Sequence, residues 1–216
     1  MSQIYDRVAL IGLGLIASSI FWASKRNNVS GCVTGFARSK KTRDTAKKIG
    51  LCDEIFDTAE EAVKDADLVI LCVPVGAMEQ VILKIAPFLK SGATVSDVGS
   101  VKRAVIDAVE PHLPHDVNFV PAHPLAGTEH SGPESGFASL FDNRWCLLTD
   151  HESADESGGI DGVGVIKDAK AGGIFGSLLN KLPPELRRAG RDVINQVKTK
   201  FPTGRIFGGK VFPPFF

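Results

Sequence analysis

The stretch RVALIGLGLIASS, residues 7–19, decides the fold of this chain. Its first part, Arg7–Ile11, is a short and mostly apolar run, which is typical of a strand buried on both faces of a sheet. Two glycines then interrupt the run, and from Leu15 to about Arg26 apolar residues recur at helical spacing. The stretch therefore predicts a strand, a tight glycine turn and a helix in immediate succession.

The turn has the spacing GxGxxA, which is the pattern of loops that bind dinucleotides. Gly12 permits the tight turn, Gly14 lets the backbone approach a pyrophosphate, and Ala17 allows the helix to pack closely on the sheet. Leu15 and Ile16 begin the helix, whose free N–H groups and dipole favour phosphate. A glycine turn before any helix matches this pattern by chance, but the flanking strand and helix favour dinucleotide binding over a purely structural turn.

The following hundred residues repeat the alternation of short apolar runs and helical segments. Further strands are predicted at Cys32–Phe36, Glu54–Phe56, Asp67–Val73, Ala93–Asp97 and Asn118–Pro121, and further helices between Ser39 and Gly50, from Ala77 to Leu89 and from Val101 to Val109. This alternation predicts an α/β fold with a doubly wound, mostly parallel Rossmann-type sheet and helices on both faces. Arg144–Leu148 is predicted to add an edge strand.

The chain changes character near residue 150. Half of its 22 glycines lie in residues 151–216, and residues 155–176 show neither helical nor strand period. We therefore expect a dinucleotide-binding domain with catalytic loops at residues 1–150. Residues 151–216 are expected to form an irregular tail, in which one helix is predicted from about Pro184 to Lys200.

The overall composition narrows the class of protein. Lys plus Arg equals Asp plus Glu at 25 each, and no basic run is interleaved with aromatic residues, which argues against nucleic acid as a partner. The four cysteines form no CxxC pair, the N-terminus lacks a signal peptide, and no apolar run approaches the roughly 20 residues that span a bilayer. These features predict a soluble, cytoplasmic protein with reduced cysteines, no metal site and no membrane partner.

The end of the second predicted strand bears on which dinucleotide is bound. NAD sites usually place an acidic residue about 20 residues after the glycines, where it holds the ribose 2′-hydroxyl. This chain has Ala37, Arg38 and Ser39 there, and a guanidinium is well shaped to bind a 2′-phosphate. Arg38 and Ser39 favour NADP over NAD, although Arg38, Lys40 and Lys41 also fit the solvated start of the next helix.

Three more loops follow predicted strands. They contain Val73, Pro74 and Val75, then Ser100, and then His123. Ligands of open α/β sheets bind outside the carboxyl ends of the strands, so these loops should line one crevice. The first of them and Ser100 are accordingly candidate cofactor-binding residues.

His123 is the candidate catalytic residue, because an imidazole is the natural group to accept a proton when an alcohol loses its hydride. A lone histidine beside a proline is more often structural, but the convergence of several loops on one crevice favours function. Ser100 is placed to orient the histidine, and it is also a candidate N-cap of the next helix. Glu129 and His130 are weaker candidates, because polar loops carry such residues for solubility.

Four blocks carry a resemblance to a known family: GLGLIASS at residues 12–19, VPVGAM at 73–78, DVGSVK at 97–102 and HPLAGTEHSG at 123–132. In this order and spacing, residues 5 to about 149 resemble the N-terminal domain of the prephenate/arogenate (cyclohexadienyl) dehydrogenases of tyrosine biosynthesis. The resemblance implies an NAD(P)-dependent oxidative decarboxylation of prephenate or arogenate to 4-hydroxyphenylpyruvate or tyrosine. It also implies that His123 hydrogen-bonds the substrate hydroxyl, that Ser100 contacts both, and that Glu129 guards the entrance.

Members of this family continue with a helical domain that makes a homodimer and supplies further substrate ligands, and nothing after Thr149 resembles it. Two hypotheses follow. The chain is a prephenate/arogenate dehydrogenase represented mainly by its cofactor domain, or it is a non-catalytic dinucleotide-binding module. A third, another Rossmann oxidoreductase acting on a hydroxy acid, is disfavoured by the HPLAGTEHSG block.

Overall fold

The computed structural model describes residues 3–149 and 163–167, and its main element is a six-stranded sheet. The strands are β1 Tyr5–Ile11, β2 Ser30–Phe36, β3 Glu54–Ile55, β4 Leu68–Leu71, β5 Thr94–Asp97 and β6 Asn118–Val120, and the helices are α1 Leu15–Asn27, α2 Lys40–Lys48, α3 Ala59–Ala62, α4 Val75–Ile85 and α5 Lys102–Val109. All neighbouring strands are parallel, in the order β3-β2-β1-β4-β5-β6. This is the order of a dinucleotide-binding doubly wound fold, so the predicted fold class is confirmed.

The central strands β1 and β4 are buried on both faces, as their apolar runs predict. Successive side chains of a strand point to opposite faces, so Leu10 packs in one core with Phe21 of α1, whereas Ile11 packs in the other with Ile82 of α4. Each fully buried side chain of this size contributes about 2 kcal/mol of hydrophobic free energy. The two cores hold the strand ends in fixed relative positions.

Local signals set the helix boundaries. Ser39 caps α2 as predicted, because its hydroxyl accepts the N–H of Thr42 at 3.4 Å. Helix α4 begins at Val75, two residues earlier than predicted, and ends in a short 3₁₀ turn, Ala86–Phe88. The unpredicted helix α3 begins after its N-cap Thr58, whose hydroxyl accepts the N–H of Glu61 at 3.2 Å and donates to the Glu61 carboxylate at 2.7 Å.

A second, three-stranded antiparallel sheet corrects two predictions. Its strands, in order across the sheet, are β7 Ala122–Pro124, β8 Trp145–Thr149 and β9 Val163–Lys167. The edge strand predicted at Arg144–Leu148 is therefore the centre of this sheet and not an addition to the parallel one. Strand β9 also lies in the segment that was predicted to have no strand period, because pairing with β8 depends on contacts distant in sequence.

The chain leaves the parallel sheet at Pro121, between β6 and β7. The helix predicted near Pro184–Lys200 and most of the predicted tail lie outside the described residues. Within residues 3–149 and 163–167, no helix has the length and apolar character needed to cross a membrane.

Candidate active site

The glycine turn joins the carboxyl ends of three neighbouring strands. The N–H of Gly12 donates to the carbonyl of Phe36 at the end of β2, at 2.8 Å. Gly12 has a φ of +99°, and a Cβ there would stand 2.5 Å from the carbonyl oxygen of Cys72, just beyond β4. Only glycine satisfies both restrictions, so the predicted tight turn is present.

The start of α1 is open to a ligand. Gly14 is its N-cap and makes no side-chain cap hydrogen bond, and a Cβ at Gly14 would meet nothing within 4 Å. Ala17 is completely buried beneath this turn, whereas Leu15 and Ile16 are half-buried. An uncapped helix N-terminus beneath open space fits the pyrophosphate of a dinucleotide.

The loop between β2 and α2 is held by Arg43, which the sequence did not single out. Its guanidinium donates to the carbonyls of Ala37 and Arg38 at 2.7 and 3.2 Å and pairs with Asp57 at 3.0 Å. It also lies 5.8 Å from the centre of the Phe36 ring, a cation–π contact. The Arg38 side chain itself is exposed, so the loop backbone is fixed while this side chain faces solvent.

The loops after β4 and β5 are in contact. Val73 and Val75 are half-buried and pack against the second core, and Pro74 is the N-cap of α4. Gly99 lies so close to Val75 that a Cβ on it would stand 3.0 Å from the valine Cγ2. Two of the predicted crevice loops therefore meet at one edge of the sheet.

A buried ion pair follows β5. Asp97, the last residue of this strand, has a fully buried side chain, and Lys102, the first residue of α5, has a side chain only 10% exposed. The Asp97 carboxylate accepts a hydrogen bond from the Lys102 ammonium. It also accepts one from the N–H of Gly99, at 2.6 Å. Burial raises the pKa of Asp97 and lowers the pKa of Lys102.

The Asp97–Lys102 pair was not predicted from the sequence. The available signal was an acid that ends an otherwise apolar strand, five residues before a lysine that opens a helix.

His123 is the middle residue of β7 and is half-buried. Burial lowers its pKa, the nearby Lys102 cation lowers it further, and Asp97 acts in the opposite direction with a smaller effect. Burial and the Lys102 cation thus favour the neutral imidazole, in which one ring nitrogen can accept a proton.

Ser100 is exposed, and within the described residues no hydrogen bond joins it to His123, so its orienting role stays a prediction. The capping interpretation of Ser100 is wrong, because α5 begins at Lys102 with Val101 as N-cap and no side-chain cap.

Glu129 and His130 lie in an exposed loop. Their side chains are 83% and 72% exposed and approach each other at 3.4 Å. The chain then returns to α1, where the N–H of Phe137 donates to the Ser19 hydroxyl at 3.1 Å and Asp142 pairs with Arg26 at 2.7 Å. The loop is thus tied at one end to β7 and at the other to the helix of the glycine turn, and the predicted role of Glu129 stays a prediction.

The described residues contain no group of three His, Cys, Asp or Glu side chains placed to hold a metal ion. The candidate chemistry at this edge rests on the glycine turn, the His123 imidazole and the buried Asp97–Lys102 ion pair.

Comparison with known proteins shows the family of the chain. Residues 22–163, roughly two thirds of the chain, match the family described as prephenate dehydrogenase, nucleotide-binding domain. The chain is similar to the cyclohexadienyl dehydrogenase of Zymomonas mobilis, with 44% identity over 146 residues that cover 68% of this chain and 50% of that protein. It is also similar to the prephenate dehydrogenase of Bacillus subtilis, with 34% identity over 160 residues that cover 72% and 42%.

A solved structure of a prephenate dehydrogenase is also similar to this chain. The prephenate dehydrogenase from A. aeolicus, in complex with hydroxyphenyl propionate and NAD+, matches with a TM-score of 0.63 and 28% identity, covering 73% of this chain and 54% of that one. The chain spans about half the length of the curated relatives it matches. The family match extends past Thr149, where the resemblance was placed to end, as far as residue 163. The chain therefore belongs to the prephenate dehydrogenase nucleotide-binding domain family.

Proposed function

We propose that this chain holds a nicotinamide dinucleotide along the carboxyl edge of its parallel sheet, with the pyrophosphate at the glycine turn. The positive φ at Gly12, the open space over Gly14 and the absence of a side-chain cap on α1 support this proposal. The first N–H groups of a helix lack partners and carry partial positive charge, so they bind phosphate. The NAD+ in the A. aeolicus structure supports the same use here.

His123 is the group that we propose to act on the substrate. When bound, the dinucleotide supplies the hydride acceptor, and the chain supplies groups that bind and orient the substrate. The neutral imidazole of His123 would hydrogen-bond the substrate hydroxyl and take its proton as the adjoining carbon loses a hydride. The single observation that carries this proposal is the position of His123, half-buried and directly after Ala122, which Asp97 and Lys102 at the end of β5 and the start of α5 bind.

The proposed reaction is the oxidative decarboxylation of prephenate or arogenate to 4-hydroxyphenylpyruvate or tyrosine. The names of the relatives from Zymomonas mobilis and Bacillus subtilis support this substrate class. Loss of the ring carboxylate as carbon dioxide leaves an aromatic ring, so the protein has mainly to position the substrate and remove one proton. In the same proposal Ser100 contacts substrate and imidazole, and Glu129 lies at the entrance.

A second candidate function is that of a non-catalytic dinucleotide-binding module. It is favoured by one observation, that Ser100 is exposed and, within the described residues, forms no hydrogen bond with His123. The two candidates share the cofactor site and differ only in turnover.

The proposed cofactor preference is NADP over NAD. Arg38 is exposed at the end of β2, on a loop whose backbone Arg43 holds in place, and no acid stands in this loop to hold a 2′-hydroxyl. An exposed guanidinium on a fixed loop is suited to a 2′-phosphate.

A combined binding and turnover assay tests these proposals. The purified chain is titrated with NADH and NADPH, and is then incubated with prephenate or arogenate and each oxidised cofactor while nicotinamide absorbance is followed. Turnover supports the dehydrogenase, whereas cofactor binding without turnover supports the module. Failure to bind either cofactor would contradict both.

A further inference from the structure

Two buried charges bind both main-chain polar groups of the residue that precedes His123. The N–H of Ala122 donates to Asp97 Oδ1 at 3.0 Å, and the Lys102 ammonium donates to the carbonyl of Ala122 at 2.6 Å. The same ammonium contacts the other carboxylate oxygen of Asp97. One ion pair therefore clamps a single peptide segment from both sides.

The clamp acts where the chain changes from one sheet to the other. Strand β6 ends at Val120 and β7 begins at Ala122, so the parallel sheet does not determine where His123 lies. Strand β7 has three residues and, in the part of the chain that the structure describes, pairs only with β8. The Asp97–Lys102 clamp joins this short strand to β5 and α5.

A gain in stability does not readily explain why a buried ion pair stands at this position. Removing two charges from water costs several kcal/mol each, and well-packed apolar residues of similar volume are often as stable or more so. A role in fixing one backbone position accounts for charges that the hydrophobic core does not need. Lys102 also brings a cation close enough to His123 to affect its ionisation.

We propose that Asp97 and Lys102 are positioning residues, which fix the Ala122 main chain and thereby the place and electrostatic surroundings of the His123 imidazole. This inference rests on the proposed role of His123. Lys102 lowers the pKa of His123 and Asp97 raises it by less, whereas Cys146 on β8 is uncharged because burial raises its pKa to about 12. Removal of the Lys102 charge should therefore move the His123 titration upward.

Lys102→Met tests the proposal in the whole chain, without substrate or cofactor. The matched control is Arg103→Met, which removes a cation from the next residue of α5, where the side chain is exposed and pairs with Asp107. NMR follows the imidazole titration, with His123 assigned by its loss in His123→Asn, and the exchange of the Ala122 amide. In Lys102→Met we expect a higher pKa for His123 and exchange faster by about tenfold or more, with neither change in Arg103→Met.

A second variant covers loss of folding. Asp97→Asn/Lys102→Met leaves no unpaired buried charge but still removes the donor to the Ala122 carbonyl, so faster exchange is expected again. Unchanged titration and exchange in whichever variant folds would overturn the proposal. These readouts need no turnover, so a chain that shows both changes but no dehydrogenase activity would contradict only the proposed function.

Discussion

Asp67 lies at the amino ends of the parallel strands and Asp97 at their carboxyl ends, and each accepts hydrogen bonds from two main-chain amides and pairs with a lysine. The lysine is exposed in the first pair and almost buried in the second. Asp67, just before β4, accepts the N–H groups of Asp6 and Arg7 at 3.0 and 3.1 Å and pairs with Lys90 at 2.6 Å. The Lys90 side chain is 45% exposed. Burial tends to raise the pKa of Asp67, but Lys90 and the main-chain donors outweigh it, and the pKa is lowered.

At the carboxyl edge the same kind of donor set has the opposite result. Asp97 accepts two main-chain N–H groups and a lysine, yet its pKa is raised, because burial outweighs those donors. The difference lies in burial, since the Asp97 side chain is fully buried and Lys102 nearly so, whereas Asp67 is 12% and Lys90 45% exposed. The amino-edge pair is a structural contact, whereas the carboxyl-edge pair keeps charge in a low dielectric near the His123 imidazole, whose pKa the Lys102 cation lowers.

The largest expected effect is on stability, and it tests this contrast directly. Lys102→Met leaves a buried carboxylate without its cation and should lower the free energy of unfolding by about 3 kcal/mol or more. Lys90→Met should lower it far less, because water can replace an exposed ammonium. Urea unfolding of both variants measures the two losses. Equal losses would mean that burial does not distinguish the two pairs.

The next effect is on turnover. His123→Asn should lower kcat by about 10²-fold or more, the usual contribution of a positioned acid–base group, and leave cofactor affinity intact. His112→Asn is the control, because His112 is also half-buried but lies beyond the C-terminal end of α5, opposite Lys102. Steady-state kinetics with prephenate or arogenate and a cofactor titration measure both properties. A parallel loss of turnover and cofactor binding would make His123 a structural residue.

The parallel sheet could be predicted from sequence because its information is local. Arg7–Ile11 and Asp67–Val73 are apolar runs buried on both faces, and Ser39 and Gly50 mark the ends of one helix within a few residues of where they lie. The glycine turn was predictable for the same reason. Its strand, turn and helix are contiguous in the chain.

The clamp could not be predicted in this way, because Asp97 and Lys102 act on Ala122, which lies 25 and 20 residues further along the chain. In the DVGSVK block the sequence pointed to Ser100, whose side chain is exposed, as the functional residue, and not to Asp97 and Lys102 at the two ends of the block. The second sheet could not be predicted for the same reason, since β9 lies in a glycine-rich segment and depends on its pairing with β8. Charges and strands that depend on distant partners need the fold before they can be recognised.

A smaller effect is expected at the outer end of the carboxyl edge. Arg38→Ala should weaken NADPH binding by about tenfold, the contribution of one charge-assisted contact, and should change NADH binding little. Lys41→Ala is the control, because it removes an exposed charge from the first turn of α2. Fluorescence titration with both reduced cofactors measures the preference. If the ratio of the two affinities does not change, Arg38 does not contact the 2′ position.

The smallest expected effect is on the pH dependence of stability, which should differ between Asp67 and Asp97. Because the folded pKa of Asp67 is lowered, its contribution to stability is present above the ordinary carboxyl pKa and is lost as pH falls through the folded value. Because the folded pKa of Asp97 is raised, its contribution is present below the ordinary pKa and is lost as pH rises through the folded value. The free energy of unfolding of the wild-type chain minus that of Asp67→Asn should therefore rise with pH in the acid range, and the same difference for Asp97→Asn should fall. Urea unfolding across this range measures both differences. If both differences change with pH in the same direction, the pKa values of Asp67 and Asp97 are not shifted in opposite directions.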